Sequence, residues 1–489
     1  MGFFHRQKGS TDKKGKEHFA FFCQRLDTLW TGKEKKWIGV IASLIEIFFF
    51  GAYFYGMNSL IPAYTHIGVF ETFCNGTDCS RQSVMFSYAY ILGLFCQMFF
   101  SPLTGLLMDR IGLRVAKLVA VYIYTLGSFL FAFTNGNTSY MLFPAVILVA
   151  IGSLANLFCN FFISNWFPKQ NGLLLALQNG AFDSSAAVAF FISQTFPKIS
   201  LQTSFILIGV ISAVYGTLMG LFFLKQYGSD MELSPPELLE ESLVEDEIKE
   251  DETVVIENVD MEVTRVVRRR YPNLKSCFLS SPYALLMFYS PAGNLRYSYY
   301  NSSLSKQLNR SFGNDERIVE ELLEAFSAVA LFAFLVAPVN GLIFDASRKY
   351  FHRKLARQLQ DSKQKPPDEE IYWTHMRAMY PVLLITATLT LLMTITQFFP
   401  GYRALFYMQF VIGIAFQTMS ASLKATNVML GFPVEHFGTL MGVSCLCTAF
   451  MALIQLGLLQ APLDVADGLM LLISVLLYIP PLFYILKKR

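Results

Sequence analysis

Long apolar runs separated by short polar breaks recur along the whole chain and set its plan. Crossing about 30 Å of hydrocarbon takes roughly 20 residues of helix. Runs of that length predict helices near 37–62, 84–104, 115–134, 140–164, 172–196 and 202–224. Six more are expected near 281–304, 318–342, 377–398, 403–430, 436–460 and 467–486. A backbone in lipid must satisfy its own hydrogen bonds, so these runs read as an all-α membrane protein of twelve transmembrane helices. The expected organisation is an N-terminal extension at 1–36, a six-helix half at 37–224, a charged loop at 225–279 and a second half at 280–489.

Composition agrees and removes the alternatives. Of 489 residues, 54% are hydrophobic and 15% charged, against about 25% charged in soluble domains. An ordinary cytosolic enzyme, a disordered chain, collagen and a coiled coil are excluded on that ground. The net charge of +3 gives no reason to expect a nucleic-acid partner. The placement of charge matters more than its sum. Lys33, Lys35, Lys36, Arg110, Arg114, Lys117, Arg348, Lys349, Arg353, Lys354, Lys487, Lys488 and Arg489 all fall on one side of the expected spans. The excess of Lys and Arg marks that side as cytoplasmic, with both termini there. The opposite loops carry glycosylation patterns at Asn75, Asn301 and Asn309, with a fourth at Asn137 in a very short loop. Cys74 and Cys79 share one of those outer loops and form the candidate disulfide; most other thiols sit in or beside apolar runs, and no metal site is expected.

Residues 1–36 are polar and the first apolar run is too long for a signal-peptide core, so the first span is expected to stay as an anchor. The central loop is acidic from Glu232 through Glu262 and then basic at Arg265, Arg268, Arg269, Arg270 and Lys275. It reads as a solvated linker, or else its basic part lies on anionic lipid.

The strongest motif is Gly105-x-x-x-Asp109-Arg110-x-Gly112-x-Arg114, between the second and third spans. Glycines allow a tight turn and close helix approach, and an aspartate can cap a helix start. Such a loop can latch one transport state. Gly341-x-x-x-Asp345-x-x-Arg348 reads as a degraded copy where a second repeat would put it. Ionisable residues inside spans are functional candidates because their insertion is costly. Glu46 lies about 14 Å into the first span, near the midplane, and Asp183 at similar depth in the fifth. Each is a substrate, gate or proton site, or a structural hydrogen bond. Arg296 follows Pro291 and Gly293 in the seventh span and could clamp a carboxylate or snorkel. Lys424 is expected to snorkel. Tyr297, Tyr299 and Tyr300 offer flat faces or form an interfacial belt. No phosphate loop, metalloprotease, nucleophile-elbow or paired-cysteine motif occurs, so neither an enzyme nor a cofactor is expected.

The six-plus-six plan and the motif pair resemble the major facilitator superfamily, motif A in particular. Further segments are similar to solute carrier family 43: Glu46-x-x-x-Phe50 with Gly56-x-x-Ser59-Leu60, Asn179 through Ser185, Ala337-Pro338-x-Asn340-Gly341, and Phe432 through Gly438. The resemblance implies two six-helix pseudo-repeats and uniport by alternating access. Its partners would be a small polar solute and the lipid bilayer, with no obligate protein partner, and the expected location is the plasma membrane. One branch of that family carries nucleobases and the other large neutral amino acids. Asn179 through Ser185 is similar to the nucleobase branch, with Asn179 and Asp183 as hydrogen-bonding candidates, whereas Arg296 is similar to the amino-acid branch. A purine nucleobase is the leading expectation, with Glu46 and Tyr299 as further candidate contacts. A large neutral amino acid, proton-coupled symport through Glu46 or Asp183, and a non-transporting receptor or scaffold on the same fold are the alternatives.

Overall fold

The computed structural model describes residues 33–73, 80–224, 250–312, 315–361, 366–399 and 401–487, and every regular element among them is helical. In the first half these are α1 (Lys33–Phe50), α2 (Met57–His66), α3 (Ser80–Phe99), α4 (Ser101–Ile111), α5 (Leu113–Ala132), α6 (Leu142–Phe161), α7 (Asn171–Ser184), α8 (Ala186–Thr195) and α9 (Leu201–Phe222). The connecting segment holds α10 (Glu250–Arg270) and α11 (Leu274–Phe278). The second half comprises α12 (Ser281–Phe312), α13 (Glu316–Leu331), α14 (Ala333–Asp361), α15 (Asp368–Met376), α16 (Tyr380–Gln397), α17 (Arg403–Gly431), α18 (Phe437–Gln460), α19 (Leu463–Leu476) and α20 (Ile479–Leu486).

These helices fall on all twelve expected spans, several of them broken in two. Nine segments among the described residues are long and apolar enough to cross a membrane. The remaining three spans, at 172–196, 281–304 and 318–342, are helical too. Gln178, Asn179 and Asp183 make the fifth more polar and Arg296 with its tyrosines the seventh, whereas the eighth is apolar but broken between α13 and α14. Large apolar side chains such as Ile41, Leu103, Leu126, Leu207, Val214 and Leu342 stand exposed around the bundle. In water such a surface would aggregate, and in a bilayer it is the lipid-facing belt. The protein is a multi-pass integral membrane protein.

Two local expectations change. Asn301 is exposed but belongs to α12, which continues to Phe312, so it lies in a helix rather than a loop, with Ser303 of its pattern buried. Asn75, Cys74 and Cys79 lie outside the described residues, as does the side chain of Asn309. The connecting segment is also more than a solvated linker. Val259, Val263, Val266 and Val267 are buried, and α10 is pinned to the second half by its charges. Arg268 pairs with Glu435 at 2.6 Å, Arg269 with Asp368 at 3.6 Å, and Arg270 with Glu369. The Arg270 guanidinium also stands 4.4 Å over the Tyr372 ring. Asp260 takes Arg348 at 3.3 Å and His352 Nδ1 at 3.2 Å.

Candidate functional site

The two motif copies meet the opposite halves in the same way. Asp109 Oδ1 accepts from the Gly438 amide at 3.0 Å, and Oδ2 accepts from the Thr439 amide at 2.7 Å and its hydroxyl at 2.6 Å. Asp345 Oδ1 accepts from the Gly172 amide at 3.0 Å and Oδ2 from the Leu173 amide at 2.9 Å. Each carboxylate therefore binds the second and third amides of a helix in the other half, α18 and α7, where unsatisfied N–H groups and the helix dipole favour an anion. The glycine four residues earlier makes the crossing possible. A Cβ on Gly105 would stand 1.9 Å from Gly438 O, and one on Gly341 2.3 Å from Leu173 Cα. Gly112 has φ +111°, a conformation that glycine adopts without strain. Arg114 is buried, its Nε donating to Leu224 O at 2.7 Å beyond the end of α9, while Arg110 is exposed. Phe437 adds an apolar plug, its ring 5.4 Å from Phe162. Both latches lie at the end of the bundle that carries the Lys and Arg clusters, so the halves are closed against each other there.

Glu46 does not face a solute path. Its Oε2 receives Lys117 Nζ at 2.7 Å and Asn160 Nδ2 at 3.0 Å, and its Oε1 receives Asn156 Nδ2 at 3.3 Å. Lys117 Nζ also donates to Asn160 at 3.0 Å and to Asn156. Glu46 and Lys117 are 1% and 0% exposed, so this is a sealed ion pair with its remaining bonds met inside the first half. Lys117 was counted among interfacial charges in the sequence. Its partner lies 71 positions away, and no local pattern reveals it.

Arg296 is also turned inward. It is fully buried, with Nε on Thr394 Oγ1 at 3.0 Å and Nη2 on Gln397 Oε1 at 2.7 Å. Thr394 Oγ1 is 2.9 Å from Ser474 Oγ, which places the guanidinium among α12, α16 and α19 within the second half. Tyr299 follows it, donating to Asp467 Oδ1 at 3.4 Å. The next position, Tyr297, faces elsewhere, because one residue turns a helix by about 100°. Its ring is 6.3 Å from Phe416, and it lies within electrostatic reach of Asp183.

Asp183 is where the halves face each other. Its Oδ2 is shut from solvent and accepts no hydrogen bond. Tyr55, within electrostatic reach of Asp183, donates to Gln97 Oε1 at 3.0 Å and sets its ring edge-on to Phe182 at 5.8 Å. Tyr90 lies near both Tyr55 and Tyr297. The outcome is an unpartnered carboxylate oxygen in an aromatic setting, with Tyr55 from the first half and Tyr297 from the second. Asn179 is buried one turn away, but its Nδ2 donates to Leu175 O in its own helix at 2.8 Å. Sequence reasoning passed over Tyr55, Tyr90, Gln97 and Phe416. Gln97, a polar residue inside an apolar run, was the readable signal.

Paired aspartates thus latch the two halves of the helical bundle to each other at one end. The pattern that defines the Major Facilitator Superfamily matches residues 40–455, and the chain belongs to that family. It is 26% identical over 473 residues to equilibrative nucleobase transporter 1 of Bos taurus, covering 90% of this chain and 94% of that one. It is 27% identical over 191 residues to the human large neutral amino acids transporter small subunit 3, covering 36% and 33%. Two solved structures share the fold at 12% identity. The human organic anion transporter MFSD10 (TETRAN) superposes with a TM-score of 0.53 over 93% of this chain and all of that one. A bacterial homologue of the iron transporter ferroportin, in an outward-facing state, superposes at 0.58 over 91% and 98%. The protein is thus a major facilitator transporter, and it is similar to solute carrier family 43.

Proposed function

We propose that this transporter is a uniporter for purine nucleobases, working by alternating access about a site between its halves. The observation that carries the reading is the unpartnered Asp183 oxygen, set among Tyr55, Tyr90 and Tyr297. A planar heterocycle with N–H donors suits that combination: the carboxylate accepts from its edge and the rings cover its face. The similarity to the nucleobase transporter, which runs nearly the full length of both chains, supports the same choice. The amino-acid reading takes Arg296 as a carboxylate clamp; its Nε and Nη2 are engaged by Thr394 and Gln397 within the second half, which leaves only the buried Nη1 without a partner and no paired face for a carboxylate.

In this reading the Lys- and Arg-rich end is cytoplasmic, both termini lie there, and the protein works at the plasma membrane. Asn75 and Asn309 are the glycosylation candidates on the outer side, and Cys74 with Cys79 the disulfide candidate. In this reading the closed basic end makes the described state one that is shut toward the cytoplasm. Expression in cells lacking endogenous uptake, with radiolabelled adenine and leucine compared with and without a proton ionophore, tests the proposal. Adenine uptake insensitive to the ionophore is expected, and leucine uptake alone would overturn it.

A further inference from the structure

Lys424 lies about 10 Å, seven residues at 1.5 Å each, from the basic end of α17, where a lysine commonly snorkels to the interface. It does not do so here. Its Nζ reaches across to Cys445 Sγ on α18 at 3.6 Å. Helical side chains lean toward their own N-terminus, which for α17 is away from the basic end and toward the cleft. Phe416, Ser420 and Lys424 follow one another at four-residue spacing and share one face of α17. Phe416 on that face packs against Tyr297, and Ser420 Oγ is 3.6 Å from where a Cβ on Gly293 would stand. Cys445 lies within electrostatic reach of the Tyr55 hydroxyl, which in turn lies within reach of Asp183. A chain of neighbours thus runs from Asp183 and Tyr55 in one half to Cys445 and Lys424 in the other.

An ammonium carries three donors and a thiol is a weak acceptor. Among the described residues Cys445 supplies the hydrogen bond to Lys424, which leaves donor capacity beside the cleft. Asp183, on the other side, offers an acceptor with no donor. We propose that Lys424 is a specificity-determining contact of the solute site, donating to an acceptor edge of the solute while Asp183 accepts from a donor edge. The inference rests on the nucleobase reading and refines it. Guanine and hypoxanthine present O6 and N7 as adjacent acceptors and N1–H as a donor, whereas adenine puts an amino donor where O6 would be. The site therefore favours 6-oxopurines over adenine. A solute held at both ends also ties the two halves together, so that occupancy and rocking are coupled.

The test compares hypoxanthine and adenine uptake in the wild type, Lys424→Met and Lys424→Arg at equal surface expression. Purified protein provides a second readout, the rise in melting temperature with each base. The wild type should prefer hypoxanthine. Lys424→Met should lose hypoxanthine transport and stabilisation on the order of tenfold, the scale of one charge-assisted hydrogen bond, with adenine changed by less than about twofold on that same scale. Lys424→Arg should keep most of the preference. If both bases are carried and Lys424→Met lowers them equally, or lowers neither, the Lys424 assignment fails while the nucleobase reading stands. A wild type that carries neither base overturns both.

Discussion

Asp109 Oδ2 takes both the amide and the hydroxyl of Thr439, at 2.7 and 2.6 Å, across the boundary between the two halves. Asp345 repeats the contact on Gly172 and Leu173 from the other side. The paired latches help to hold the basic end closed. A carboxylate on a helix start contributes on the order of 1 kcal/mol, more when partly buried. Asp109→Ala should therefore shift the halves toward the state open at the basic end by about tenfold for each 1.4 kcal/mol lost. Reaction of a cysteine placed at Phe162, buried against Phe437 at the closed end, with a thiol reagent from that side would report it, and unchanged reactivity would count against the latch. The two aspartates touch no common residue, so Asp109→Ala and Asp345→Ala should add.

Glu46 and Lys117 make a different prediction. Breaking a buried pair by removing one partner leaves an uncompensated charge and costs about 3–5 kcal/mol. Glu46→Gln and Lys117→Met should each lower the melting temperature sharply. The double variant should recover much of the loss, because neither charge remains. A solute-binding role for Glu46 predicts the opposite pattern: normal melting with transport abolished.

Arg296→Ala should also act on stability. Its guanidinium ties α12 to α16 through Thr394 and Gln397, and losing it strands those groups in the core. Surface expression and melting temperature should fall. In the molecules that do fold, adenine uptake per transporter at the surface should stay within about twofold of the wild type. A selective effect on leucine would restore the clamp reading.

The docking of α10 should depend on pH. Burial and the neighbouring Arg348 push His352 down to about 3 from its ordinary 6.5, so the docked state holds it neutral. Titratable partners facing it are Asp260 on α10 and His375 on α15. Once α10 lets go and the ring meets water, its affinity for a proton rises. The stabilisation is complete above 6.5 and is lost progressively as pH falls from 6.5 toward 3, by about tenfold in the undocked population per pH unit. The protection factor of the α10 amides, which corrects the exchange rate for its intrinsic fall with pH, should drop as pH goes from 6.5 to 5.5, and His352→Gln should flatten that dependence.

The legible part of this protein was what lies along one helix at a time. Twelve apolar runs gave twelve helical spans, and the glycine and aspartate spacing of the motif pointed to both latches. What the runs hid were relations between helices. The amides that Asp109 binds occur in Phe432 through Gly438 and the residue after it, yet nothing local pairs them. Lys117 looked like an interfacial charge because its counter-ion is on another helix. The depth of Arg296 could be counted, but not that it and Tyr297 face different neighbours. The segment of α10 looked like solvated linker because its four buried valines are scattered among charges and its partner face is supplied by the second half.

The central claim is that Asp183 holds the solute, and a binding measurement on purified protein tests it most directly. Asp183→Asn keeps the shape and removes the charge, and the variant can be shown folded by its melting temperature. The account predicts that guanine stabilises the wild type and that Asp183→Asn loses this stabilisation and the matching uptake by at least about tenfold. Undiminished binding and uptake in a folded Asp183→Asn protein would contradict it.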